Sequence, residues 1–224
     1  HATSDLKIWT TARQQLGETM AEWFIEGFLN RLLDHQDPTA RALLDQATFY
    51  IVPNMNPDGS ALGNLRTNYA GANLNREWQN PTLEYSPEVY YVRQKMHETG
   101  VDLFLDIHGD EEIPFVFVAG TEGVPSYNER IADLEQRFKT AFKAASPDFQ
   151  DEHGYAKDAP GQANLGLATP YVGETFGCLA YTLEMPFTDN HNWPDDDFGW
   201  NGQRSLRLGE AALSPILAVL RHLR

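Results

Sequence analysis

The sequence predicts a three-layer α/β/α domain around a mixed, mainly parallel sheet, and three observations carry that prediction. Short β-patterned apolar runs alternate with segments whose apolar residues recur at helical spacing, as in layered α/β chains. The 224 residues, 42% of them hydrophobic, suffice for one sizeable core and are short for two, so residues 1–224 are expected to form a single domain. One apolar run closes on Leu105-Asp106-Ile107-His108-Gly109-Asp110-Glu111, an imidazole among carboxylates, where an open α/β sheet presents its chemistry.

Each element has its own signal. Residues 7–12 are strand-like, and residues 18–33 carry Met20, Phe24, Ile25, Phe28, Leu29 and Leu32 on one helical stripe. Pro38 suits the first turn of a short helix over 38–47, and 48–52 returns as a strand. Ser86-Pro87 reads as an N-cap followed by proline at the first helical position, with Gly100 as the stop. Strands over 101–108 and 113–119, a helix over 127–145, a strand over 179–184 and one closing helix over 206–223 complete the alternation. Segments 53–85, 146–170 and 185–201 are long, polar and irregular, and loops of that length in a compact domain are functional or disordered.

Composition excludes several classes of function. A formal charge of −15 opposes binding to a nucleic-acid backbone. The single cysteine, Cys178, rules out an internal disulfide or a multi-thiolate zinc site and reads as a small core residue. No apolar stretch reaches the roughly 20 residues of a membrane span, and no signal peptide precedes the first strand, so a soluble protein is expected.

Polar residues cluster in four places: 13–18, 54–78, 106–111 and 182–187. Arg66 and Arg76 in one loop suit carboxylate or oxyanion recognition, because the guanidinium fork matches planar anions, while Asx turns on a solvated loop are the plainer reading. Asp106 could orient a ligand or make a structural hydrogen bond, and Asp110 and Glu111 could cap or solvate their turn. His35, His97, His222 and His1 read as surface residues, and His153 and His191 as candidates for a cleft rim. The run 193–197 reads as an acidic exposed turn, with weak calcium binding as an outside reading.

Four of these motifs, Asn54-Met55-Asn56-Pro57-Asp58-Gly59, Gly71-Ala72-Asn73-Leu74-Asn75-Arg76-Glu77-Trp78, Asp106-Ile107-His108-Gly109-Asp110-Glu111 and Thr182-Leu183-Glu184-Met185-Pro186-Phe187, occur in order. Together they resemble the zinc metallocarboxypeptidases, most closely their bacterial cytosolic carboxypeptidase-like branch. The resemblance implies hydrolysis of the C-terminal peptide bond of a peptide or protein, and a cytoplasmic setting. It implies zinc held by Glu18 and His108, with Glu184 as general base, Arg66 on the oxyanion, Asn75 and Arg76 on the terminal carboxylate, and Tyr155, with Tyr171 behind it, as the closing tyrosine. Relatives that remove acidic residues suggest that Lys157 meets a glutamate side chain.

The chain departs from the family at two points. Where His-Pro is expected it has Gln15-Leu16, so an amide occupies an imidazole ligand position and zinc binding should weaken. Only about a dozen residues precede Gln15, so the expectation is a domain lacking its N-terminal strands and leaving one sheet edge open. Two alternatives keep the architecture: an N-acyl amino acid deacylase, and an inactive module that binds C-terminal carboxylates through Asn75 and Arg76. The oligomeric state is not fixed by these residues.

Overall fold

The computed structural model describes residues 5–224. Five strands, β1 (Leu6–Ala12), β2 (Ala47–Val52), β3 (Leu103–Asp110), β4 (Phe117–Ala119) and β5 (Leu179–Pro186), form one sheet in the order β2-β1-β3-β5-β4. All neighbours pair in parallel except β4, which runs antiparallel to β5. The order reverses between β1 and β3, which is where open α/β sheets leave a crevice at their carboxyl ends.

The strands sort their side chains by alternation. On β3, Leu103, Leu105 and Ile107 join a large apolar core with α1 (Met20–Leu32), α2 (Pro38–Leu44), α5 (Glu129–Ala145), α7 (Gly202–Ala211) and α8 (Leu213–Leu220). Phe104 faces the other way, into a smaller core with Trp9, Trp78 and Ala180, covered by α4 (Pro87–Thr99) and α6 (Ala168–Phe176). Both faces are therefore covered, and the architecture is the three-layer α/β/α arrangement with a mixed, mainly parallel sheet. Asp106 and His108 share the parity of Phe104, so they emerge on the second face, under the long loops.

Several local expectations need correction. The closing helix is two helices, broken at Ala212, because Pro215 in the first turn of α8 cannot continue the ladder of α7. The segment 53–85 contains α3 (Pro57–Leu62), opened by Asn56, whose side chain accepts from the Gly59 N–H, and one 3₁₀ turn at Leu74–Arg76. Helix α6 begins inside the stretch read as loop, since its Ala-Thr-Pro-Tyr-Val start lacks polar periodicity. Ser86 does not cap α4 with its side chain. Its hydroxyl instead accepts from the Thr82 N–H. The strand expected over 113–119 keeps only three residues.

Candidate active site

The end of β1 is where the site begins. Arg13 takes φ 57°, the left-handed region that costs a non-glycine residue energy, and its side chain is held by Glu22 at 2.6 Å and by the carbonyl of Leu16 at 3.1 Å. The strained turn redirects residues 14–18 over the sheet. The Gly17 N–H donates to the Leu65 carbonyl at 3.0 Å, and a Cβ at Gly17 would lie 2.6 Å from Leu65 Cδ1. This close approach delivers Arg66 to Gln15: Arg66 Nη1 donates to Gln15 Oε1 at 2.9 Å, and Nη2 meets Glu111 Oε1 at 3.1 Å.

Beneath the turn runs a buried polar chain. Asp106, with no exposed surface, accepts from Thr11 Oγ1 at 2.7 Å, from Gln14 Nε2 at 2.5 Å and from His108 Nε2 at 2.6 Å. Gln14 in turn accepts from Trp78 Nε1 at 2.8 Å. With Nε2 held by Asp106, the imidazole turns Nδ1 toward Glu18 Oε2 at 2.8 Å. Burial disfavours a charged His108, yet the Asp106 and Glu18 carboxylates outweigh it and hold its pKa well above the usual imidazole value.

Glu184 stands directly beside His108, because the two are register partners on β3 and β5. Burial pushes its carboxyl up to about 8, with Glu18 and Asp110 adding to the rise against the pull of His108 and of the Tyr155 hydrogen bond. One of its oxygens, Oε2, is buried without a hydrogen-bond partner among the described residues. The other lies 3.0 Å from the hydroxyl of Tyr155, which also reaches Asp110 Oδ2 at 2.5 Å. Burial and these carboxylates keep the phenol's pKa far above its usual value.

These groups line a cleft of about 450 Å³. Gln15, Glu18, Arg66, Asn75, Arg76, His108, Tyr155 and Glu184 all border it, so the structure brings the sequence-derived candidates together. Asn75 is fixed by its Oδ1, which accepts from the Ala168 N–H at 2.9 Å, while Arg76 is exposed and donates to the Asn75 carbonyl at 2.7 Å. Tyr171 lies elsewhere: it packs on Trp78, under the Arg93 guanidinium, and its hydroxyl meets His97 Nε2. Lys157 borders the cleft, but its ammonium is paired with Glu122 at 2.7 Å. His153 lies at the rim, stacked on Phe115, and His191 meets the edge of the same ring. His1 lies outside the described residues. Cys178 is buried, and burial pushes its thiol up to about 12, in keeping with a core role.

Sequence reasoning missed two participants. Gln14 was seen only as part of a polar cluster, yet it ties Asp106 to Trp78. Asp110 was read as a turn residue, and it does accept from the N–H groups of Glu112 and Ile113, but its second oxygen holds Tyr155. The adjacent Gln14-Gln15 pair straight after a strand was the available signal for the first.

The donor set bears directly on zinc. His108 Nδ1 and Glu18 Oε2 face each other at hydrogen-bond distance beside a carboxylate with an orphaned oxygen, which suits two of the three protein ligands of a catalytic zinc. The third position holds the amide of Gln15, whose oxygen accepts from Arg66 and whose nitrogen donates to Asn73 Oδ1 at 3.2 Å. Among the described residues no group of three or more His, Cys, Asp or Glu side chains is disposed to hold a metal.

The sequence profile of the family described as zinc carboxypeptidase matches residues 1–199. The chain belongs to the zinc carboxypeptidase family. An uncharacterised protein of Zymomonas mobilis is 52% identical over 207 residues, covering 92% of this chain and 54% of that protein. Cytosolic carboxypeptidase 3 of Mus musculus is 37% identical over 143 residues, 60% of this chain and 14% of that protein. A metallo-carboxypeptidase from Pseudomonas aeruginosa, solved with (2-guanidinoethylmercapto)succinic acid, superposes with TM-score 0.96 at 54% identity and covers 100% of this chain and 60% of its own. This zinc carboxypeptidase chain thus spans about half the length of the Zymomonas relative. No helix among its described residues is long and apolar enough to cross a membrane.

Proposed function

We propose that this chain is a metallocarboxypeptidase domain that hydrolyses the C-terminal peptide bond of a peptide or protein, with its hold on zinc weakened by Gln15. The observation that carries the reading is the convergence of Glu18, His108, Glu184, Arg66, Asn75, Arg76 and Tyr155 on one cleft in a zinc carboxypeptidase fold. Glu18 and His108 would hold the metal, with the Gln15 amide as a weak third donor. When bound, zinc supplies a Lewis acid for the scissile carbonyl and lowers the pKa of water.

The chain's own groups have complementary tasks. Glu184, buried and with one oxygen left without a partner among the described residues, is placed to take a proton from the attacking water and pass it to the leaving amine. Arg66 offers guanidinium N–H groups to the developing oxyanion, and Asn75 with Arg76 binds the substrate's terminal carboxylate, which restricts cleavage to chain ends. Tyr155 closes over the cleft. Residues 1–224 act as one domain, in the cytoplasm as the names of the cytosolic carboxypeptidase relatives suggest. Lys157 is available to an acidic side chain only by leaving Glu122, so a preference for C-terminal glutamate over leucine is the expected signature of that role.

A second reading, carboxylate binding without cleavage, is favoured by Gln15, because its oxygen is engaged by Arg66. Zinc content and turnover of a free-ended peptide, against its C-terminally amidated twin, separate the readings in this chain and in Gln15→His. A lost imidazole ligand should cost more than the roughly 10 to 100-fold that remote partners of a ligand cost in affinity. Recovery of zinc and of cleavage confined to the free-ended peptide is expected in Gln15→His. Zinc without cleavage in that variant favours the binding module, and hydrolysis of small N-acyl amino acids alone favours a deacylase.

A further inference from the structure

Tyr155 belongs to residues 151–167, a stretch with neither strand nor helix, and its ring is half-exposed. Its position is nevertheless well determined. The ring packs edge-on against Phe117 with centroids 4.9 Å apart, and the hydroxyl lies 2.5 Å from Asp110 Oδ2 and 3.0 Å from Glu184 Oε1. The two contacts share the phenol's one proton, and the shorter, to Asp110, is the stronger, a charge-assisted bond. Asp110 is itself anchored. It closes β3 opposite Pro186 of β5, and its Oδ1 accepts from the N–H groups of Glu112 at 2.8 Å and Ile113 at 2.6 Å. One oxygen is thus anchored in its own turn while the other is aimed across the cleft. The ends of the segment are held by Gln150, whose Oε1 accepts from the Glu152 and His153 N–H groups, by His153 stacking on Phe115, and by backbone bonds joining Ala163 to Gly123 and Trp78 to Gly166. Between them the exposed Lys157 pairs with Glu122, an ion pair that holds weakly.

We propose that Asp110 is a positioning residue whose carboxylate holds Tyr155 over Glu184, so that residues 151–167 cap the catalytic end of the cleft before any peptide enters. The proposal rests on the reading of Tyr155 as the closing residue, but the contact can be measured without turnover. An incoming terminal carboxylate competes with Asp110 for the phenol, so closure over substrate is an exchange of partners and not the ordering of a free loop.

Hydrogen exchange of the full chain, followed by mass spectrometry over peptides covering 151–160, tests this. Tyr155→Phe, which leaves the Asp110 turn intact, and Asp110→Ala should each speed exchange there about tenfold, the worth of one hydrogen bond to a charged group. The double variant should be no faster than either single one, and Asp110→Asn, which keeps a carbonyl for the turn and an amide for the phenolic oxygen, should stay near the parent. Peptides over 111–116 report separately on loss of the turn, and if Asp110→Ala fails to fold, Tyr155→Phe decides. Unchanged exchange in Tyr155→Phe, or additive effects in the double variant, overturns the proposal whether or not the chain cleaves peptides.

Discussion

Glu135 is a buried carboxylate outside the catalytic roles, with Oε1 accepting from the Thr121 N–H at 3.2 Å and Oε2 from the Tyr127 hydroxyl at 2.8 Å. Burial, reinforced by Glu122, pushes its pKa up to about 7. The folded protein therefore keeps a proton that the unfolded chain gives up near pH 4.5, and this contribution to stability is lost as pH rises from about 4.5 to 7. Urea unfolding at pH 5 and pH 8 should show Glu135→Gln losing on the order of 3 kcal/mol less than the parent over that span. Equal losses would place the charge elsewhere. At this scale much was legible from sequence: residue type and strand-end position singled out His108, and the family resemblance carried by the motifs singled out Glu184, Arg66, Asn75 and Arg76, all of which border the cleft. Pairings across the fold were not legible. That Gln15 engages Arg66, or that Asp110 meets Tyr155, depends on how two loops meet, and neither leaves a periodic trace in the sequence.

Helices α1 and α7 cross with their backbones touching. A Cβ at Gly27 would fall 1.9 Å from the Leu206 carbonyl oxygen, and one at Gly209 would fall 1.9 Å from that of Phe24. These contacts are with backbone, so no rotamer change can relieve them. Gly209→Ala and Gly27→Ala should each destabilise the chain by at least 1–3 kcal/mol, the usual cost of overpacking, read as a lowered urea midpoint, although alanine is the better helix former in isolation. A gain in stability would show that the helices separate cheaply. The elements with strong periodicity, α1, α5 and every strand but β4, lie close to where the pattern puts them. Those decided by tertiary packing do not: α6 covers β3 and β5 with a short apolar helix whose first three residues the sequence reads as loop, and the break at Ala212 depends on a proline at the third position of α8.

The molecule as a whole carries a formal charge of −15, and mutual repulsion of that size opposes the compact state. Raising sodium chloride from about 0.01 to 0.15 M shortens the screening length from about 30 to 8 Å and should raise the unfolding midpoint. A fall would mean that attractive pairs outweigh the net repulsion. The fold class was readable at this scale because alternation and size both constrain it, and the reversal of strand order between β1 and β3 fixes where the cleft opens. One consequence of the parallel β3–β5 pairing extends further. His108 and Glu184 are set side by side by the register of two parallel strands, so the exposed loops of the stretch joining those strands, outside β4, α5, α6 and Tyr155, can be shortened or lengthened without disturbing that partnership. Those outer loops can drift while the pair stays put.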